Sequence, residues 1–259
     1  MPHAIKAILW DIDGTLLNFS AAEKAAIRAC FRRFDLGECT DDMLRDYSDI
    51  NVGYWRRIER GEIEKSRALV ARFEDFFTEA GLPVACAAAF NDEYQLRLGD
   101  TVVFNHGAYD TVVSLRPYVK QYAVTNGTRT AQRRKLQNSG LIDLLDGVFI
   151  SDEIGAEKPD AAFFDHVFRH IDTPRAQTVI IGDSITSDMR GGNNAGIRCC
   201  WYNPEQRPRG DWVAEGGRDR FVPWSDLRID NELRDIADIQ ALWAHELCRP
   251  ERTEKGGPN

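Results

Sequence analysis

The chain has 259 residues, 33 Lys and Arg against 41 Asp and Glu, and a formal net charge of −8 at pH 7. Its 43% hydrophobic content is enough for a large buried core, which excludes a disordered or fibrous chain. The length suits one large domain or two unequal ones, and the acidic balance argues against a nucleic-acid polymer or an anionic membrane as partner, because both attract clustered Lys and Arg.

No apolar run approaches the roughly 18 residues of a membrane span, and Met1-Pro2-His3-Ala4 lacks the layout of a signal peptide. The six cysteines (Cys30, Cys39, Cys86, Cys199, Cys200, Cys248) contain no CxxC pair. They read as small, reduced side chains of a cytoplasmic protein.

The first predicted element is a strand over 5–10 that stops at Asp11-Ile12-Asp13-Gly14-Thr15-Leu16. Two carboxylates at i and i+2 can serve one centre, one as a nucleophile that becomes an aspartyl-phosphate, the other as general acid and base. Taken alone, the segment also reads as an Asx-turn. Asp13 and the next strand-end motif at Thr125 are 112 positions apart. A strand-helix-strand unit needs only about 30, so roughly 80 are surplus. Leu69, Val70, Phe73, Phe76, Phe77 and Ala80 recur at helical spacing, and 85–98 is a further helix after Pro83. The surplus is therefore an all-helical insertion over the carboxyl ends of the sheet.

A strand over 121–124 runs into Thr125-Asn126-Gly127, where a hydroxyl, an amide and backbone N–H groups can cradle an anion. Thr and Asn are equally ordinary helix caps. A helix over 128–138 follows, and Arg129, Arg133, Arg134 and Lys135 read as its solvated basic face. After a strand over 148–150 comes Lys158-Pro159, a lysine that can neutralise a phosphoryl group or read as plain surface. Phe163, Phe164, Val167, Phe168 and Ile171 form the apolar stripe of a helix starting near Pro159 and Asp160. His166 and His170 lie at i, i+4, but no HExxH glutamate sits between them, so they read as helix surface.

A strand over 178–181 ends in Gly182-Asp183-Ser184-Ile185-Thr186-Ser187-Asp188. Its acids, with Asp11 and the Asp13 carbonyl oxygen, are hard ligands of the kind Mg²⁺ takes; a helix N-terminus favoured by acids is the plain alternative. A strand over 197–202 closes the series. Beyond it, 203–217 is predicted as loop, 221–222 as a short strand, 226–247 as a final helix and 249–259 as a flexible tail. Short apolar strands alternating with helices predict an α/β fold, a Rossmann-like parallel sheet with ligands bound at the strand ends.

The order strand-DxD, strand-TN, KP, strand-GDSxxSD resembles the haloacid dehalogenase-like hydrolase superfamily. The resemblance covers residues 5–201. It implies that Asp11 is the nucleophile and Asp13 the acid and base. It implies that Thr125 and Asn126 hold the phosphoryl group and that Lys158 balances charge. Asp11, Asp13 and Asp183 would bind Mg²⁺, with Asp188 as supporting acid. The dehalogenase branch lacks an aspartate at the position of Asp13, so phosphate ester hydrolysis is implied. The insertion looks like a type 1 cap, giving a core over 1–16 and 100–248 and a cap over 17–99.

The cap segment Tyr47-Ser48-Asp49-Ile50-Asn51-Val52-Gly53-Tyr54-Trp55, with Glu59-Arg60-Gly61-Glu62-Ile63, Arg67 and Arg72-Phe73, looks like the pyrimidine 5′-nucleotidase branch. So do the segment 188–196 and Cys200-Trp201. One departure is Gly14, where an acidic residue is expected in the bacterial nucleotidases. Asn51 and Trp55 are the candidate substrate contacts, an amide that reads a base edge and an aromatic face that stacks on it; helix capping and cap core are their alternatives. The substrate expected is a small phosphorylated metabolite, a nucleoside 5′-monophosphate before a sugar phosphate or phosphoglycolate. A non-catalytic binding module on the same fold is the third reading.

Overall fold

The computed structural model describes residues 4–215, 218–223 and 225–247. In chain order the main elements are β1 (Ala7–Trp10), α1 (Phe19–Arg33), α2 (Asp41–Glu59), α3 (Lys65–Glu79), α4 (Ala87–Asp100), α5 (Ala108–Leu115), β2 (Lys120–Thr125), α6 (Arg129–Asn138), β3 (Gly147–Ile150), α7 (Ser151–Ile154), α8 (Ala161–His170), β4 (Thr178–Gly182), α9 (Arg190–Asn194), β5 (Arg198–Tyr202), β6 (Gly210–Glu215), β7 (Arg218–Pro223), β8 (Asn231–Leu233) and α10 (Asp238–Leu247).

Six strands form one parallel sheet in the order β3-β2-β1-β4-β5-β8. Successive side chains of a strand face opposite sides, and helices cover both. Ile8 and Trp10 pack on one side with Val112 and Leu115 of α5 and Ile239 of α10. Ala7 and Leu9 pack on the other with Phe163, Phe164 and Val167 of α8. β1 is flanked by β2 and β4, so the chain reverses its direction of addition there. In an open α/β sheet that switch point opens the ligand crevice beyond the carboxyl ends.

Helices α1 to α4 form the helical cap around their own core. Phe31, Tyr47, Phe73, Phe76, Phe77, Phe90 and Tyr94 are buried together, with Tyr47 stacked on Phe73 at 4.8 Å between centroids. The chain leaves the sheet region and returns along paired segments: Asn18 N–H donates to the Val103 carbonyl at 2.8 Å and Asn105 N–H to the Leu16 carbonyl at 3.0 Å.

Two expectations need correction. The segment 226–247 is not one helix. Asn231–Leu233 instead pairs with the exposed edge of β5, and α10 starts only at Asp238. Leu233 has the helical spacing, but burying it on the sheet also satisfies backbone groups at that edge. The segment 203–217 is not all loop, because Gly210–Glu215 and Arg218–Pro223 form an antiparallel hairpin that contains the strand expected at 221–222. The tail at 249–259 lies outside the described residues. Among those described, no helix is long and apolar enough to cross a membrane, and Cys30, Cys39, Cys86, Cys199 and Cys200 are free thiols.

Candidate active site

Asp11 and Asp13 leave β1, Thr125 and Asn126 leave β2, and Asp183 and Asp188 follow β4. The parallel ladder brings these ends side by side. With Lys158 they line a cavity of about 210 Å³, which Phe19, Trp55 and Glu59 of the cap close from above. A larger cleft of about 800 Å³ adjoins it between α2, α3 and the 151–161 segment, and shares Glu59 and Lys158 with it.

Lys158 is the electrostatic centre. Its side chain is 1% exposed, and its ammonium donates to Asp11 Oδ1 at 2.8 Å, Asp188 Oδ1 at 2.7 Å and the Val124 carbonyl at 2.8 Å. Burial alone would lower its pKa, but the two carboxylates outweigh that and hold it above the usual lysine range. Asp11 Oδ2 accepts from the Thr15 hydroxyl at 3.0 Å. Burial pushes the Asp11 carboxyl well up, Lys158 pulls it back, and Asp188 and Asp183 add repulsion. Asp188 is fully engaged, since Oδ2 accepts from the Ser184 N–H at 3.1 Å.

Asp183 is the least compensated acid. The Thr15 hydroxyl lies at 3.5 Å and the Arg207 guanidinium at 4.0 Å from its carboxylate. Burial, and then the charge of Asp188, raise its pKa to about 7. Asp11, Asp183 and Asp188 each bring an oxygen within 4.8 Å of the others. A set of hard oxygens with more carboxylate than cation fits a bound Mg²⁺. Gly14 shapes this corner. It has φ +91°, and a Cβ there would stand 2.7 Å from Asp183 Oδ2. An acidic residue at 14 is therefore strained here in backbone and in space.

Asn51 and Lys135 sit differently from their sequence reading, while Thr125, Asn126 and Trp55 line the cavity. The Asn126 amide donates to the Lys158 carbonyl and accepts from the Lys158 N–H, both at 2.8 Å, so it ties two loops together. Thr125 Oγ1 accepts from the Gly127 N–H at 3.2 Å, which leaves its hydrogen to donate. Trp55 lines the cavity. Asn51 does not: it is 2% exposed, donates to Glu23 at 2.8 Å and accepts from Arg72 at 2.6 Å inside the cap. The basic face of α6 is revised at Lys135 alone, since its three arginines stay at the surface. Arg129 and Arg133 pair with Glu153, and Arg134 pairs with Asp100. Lys135 is wholly buried and bonded to Asp13.

Two contacts had no motif to announce them. Lys65, at the start of α3, reaches the core from the cap. Its ammonium donates to the Asn126 carbonyl at 2.8 Å and to Ser151 Oγ at 3.0 Å, pairs with Glu157 at 3.1 Å, and lies 5.7 Å from the Trp55 ring centre. Arg207, beyond β5, donates to the Asp183 carbonyl at 2.7 Å. The segment before α3 is polar and that around Arg207 is rich in Pro and Arg, so neither carries a periodic pattern.

Comparison with known proteins agrees with this geometry. A family model for haloacid dehalogenase-like hydrolases matches residues 5–196. The HAD-hydrolase YfnB of Bacillus subtilis is 34% identical over 236 residues, 91% of this chain and 96% of YfnB. The pyrimidine 5′-nucleotidase PynA of Streptococcus pneumoniae is 36% identical over 203 residues, 77% of this chain and 84% of PynA. The magnesium-bound crystal structure of YfnB superposes with a TM-score of 0.81 at 30% identity, covering 92% of this chain and 98% of that one. Matched in sequence and in fold over most of its length, the chain belongs to the haloacid dehalogenase-like hydrolases.

Proposed function

We propose that this protein is a Mg²⁺-dependent phosphomonoesterase that works through a covalent phosphoryl-Asp11, and that its substrates are nucleoside 5′-monophosphates. The observation that carries the reading is Asp11 itself, a buried carboxylate held on Lys158 at 2.8 Å in a cavity that Asp13 also lines. The core is assigned to 1–16 and 100–248 and the cap to 17–99, with the paired segments near Leu17 and Phe104 as the crossings.

In the first step an Asp11 oxygen attacks phosphorus and the bond to the ester oxygen breaks. The Asp13 carboxyl gives that oxygen its proton. In the second step Asp13 takes a proton from water as the water attacks phosphorus. Phosphate leaves and Asp11 is regenerated. In this reading the Thr125 hydroxyl donates to a phosphoryl oxygen, and Lys158 favours the ionised form of Asp11 against its burial and holds it in place. Asp11, Asp183 and the Asp13 carbonyl oxygen would hold Mg²⁺, which would supply charge neutralisation and a template for the phosphoryl group. Its binding is read directly by thermal unfolding. At 100 times its Kd, Mg²⁺ stabilises by about 2.7 kcal/mol, or roughly 5–10 °C in a chain of this size. Asp183→Asn is expected to remove that rise; a full rise in the variant places the ion elsewhere.

The nucleotide reading rests on aromatic Phe19 and Trp55 at the cavity and on the likeness to PynA. Phosphate release from a panel of nucleoside monophosphates and sugar phosphates, with and without Mg²⁺, tests it. No preference for any nucleotide overturns the substrate, and no Mg²⁺-dependent turnover of any ester overturns the enzyme. Trp55→Ala is expected to lower kcat/KM for the preferred nucleotide by roughly 5- to 150-fold, the range of one lost base–aromatic stack. Glycerol phosphate, which has no base, is expected to lose little. Equal losses on both substrates give Trp55 a packing role.

A further inference from the structure

Helix α6 buries a charge and an amide that the proposed chemistry has not used. Lys135 and Gln132 lie one turn apart and are 0% and 1% exposed. Lys135 Nζ donates to Asp13 Oδ1, and Gln132 Nε2 donates to Asp13 Oδ2 at 2.6 Å. Both oxygens of one carboxylate are thus taken by one helix face.

The Gln132 contact carries a cost. Gln132 Oε1 is buried with no hydrogen-bond partner, so its desolvation is not offset. The amide cannot flip to relieve it without turning an oxygen onto the Asp13 carboxylate. Gly127 makes room for the same side chain, since a Cβ at 127 would lie 2.1 Å from Gln132 Nε2. Stability alone does not explain an arrangement that spends a buried acceptor on aiming one donor. The helix is also anchored. Thr128 Oγ1 at its start donates to Gln95 of α4 at 2.7 Å, and Arg134 pairs with Asp100.

We propose that Lys135 and Gln132 are positioning residues that fix the Asp13 carboxyl, through both of its oxygens, where it meets the leaving oxygen of the ester. This rests on Asp13 being the general acid. A carboxylate oxygen has two lone-pair sites, so each oxygen keeps one for the cavity while the other holds the clamp. In the step served, the phosphorus–oxygen bond breaks, its electron pair stays on the ester oxygen, and the proton of the Asp13 carboxyl forms the O–H of the released alcohol. Without the clamp the carboxyl turns freely about its side-chain bonds, and proton delivery suffers while phosphoryl binding does not.

Leaving-group dependence separates this from a general loss of structure. Uridine 5′-monophosphate releases an alkoxide that needs the proton; p-nitrophenyl phosphate releases a phenolate that does not. Lys135→Met and Gln132→Met are expected to lower kcat/KM for uridine 5′-monophosphate by about 10- to 100-fold, part of the 10²–10⁴ of a full general acid, and for p-nitrophenyl phosphate by less than about threefold. In an Asp13→Asn background neither substitution should lower the rate further. Equal losses on the two substrates, or full additivity with Asp13→Asn, overturn the clamp. Asp13→Asn alone tests the underlying reading. If it does not separate the two substrates, the acid assignment fails; if it does and the helix variants do not, only the clamp fails. Thermal unfolding of each variant establishes that it is folded, and Gln132→Met carries the test should Lys135→Met not fold.

Discussion

Asp11→Asn is expected to abolish turnover and to stabilise the metal-free protein at the same time. An amide is not a nucleophile toward phosphorus, so kcat falls by at least about 10⁴-fold and no phosphoryl group appears on the intact protein by mass. The stability gain follows from the charge balance. Asp11 and Asp188 share the ammonium of Lys158, with Asp183 close beside them, and burial raises the Asp11 carboxyl well above the usual carboxylate range. A carboxyl whose pKa is higher folded than unfolded binds protons more readily in the native state. Its cost is absent below the unfolded pKa and grows as pH rises through the folded one. Asparagine removes that cost and can still accept from Lys158. In EDTA the variant should therefore be more stable than the parent at pH 8 and gain much less at pH 4. Urea unfolding at the two pH values checks this; a variant less stable at pH 8 would mean that the Lys158 pair outweighs the crowding.

Lys158→Met has the opposite sign. It removes the donor that Asp11, Asp188 and the Val124 carbonyl share. Breaking a buried pair by deleting one partner costs about 3–5 kcal/mol, because the remaining charge stays uncompensated. Here two carboxylates are left. Stability and turnover should fall together, and the double variant Lys158→Met with Asp188→Asn should recover part of the stability and none of the activity. Denaturant melts of the two single variants and the double one read the coupling directly. A loss under about 1 kcal/mol for the single lysine variant would show that the acids protonate and absorb the change.

Strands β1 to β5 and the helices α3, α6 and α8 were legible because each is a local pattern. Short strands with apolar centres end at or beside Asp11, Thr125 and Gly182, and a 3.6-residue stripe runs through Phe73, Phe76 and Phe77. The segment 226–247 misled for the same reason. Leu233 and Ile236 have helical spacing, but Leu233 serves a strand whose partner, β5, lies far back in the chain. Edge pairing is a non-local gain, and no window around Leu233 contains it.

The site divides along the same line. The sequence by itself determined the chain order of the acids, the threonine and the lysine, because each follows a strand and parallel strands deliver their carboxyl ends to one edge. Only the tertiary structure decided what those groups touch. Asn51 and Trp55 share one cap helix, yet Asn51 closes a buried bridge between Glu23 and Arg72 while Trp55 lines the cavity. Lys135 belongs by composition with three surface arginines, yet it is buried on Asp13, 122 positions away. Residues on one helix share a sequence neighbourhood, but their partners are set by how the helix is rotated against the sheet. That rotation is an outcome of packing over the whole molecule.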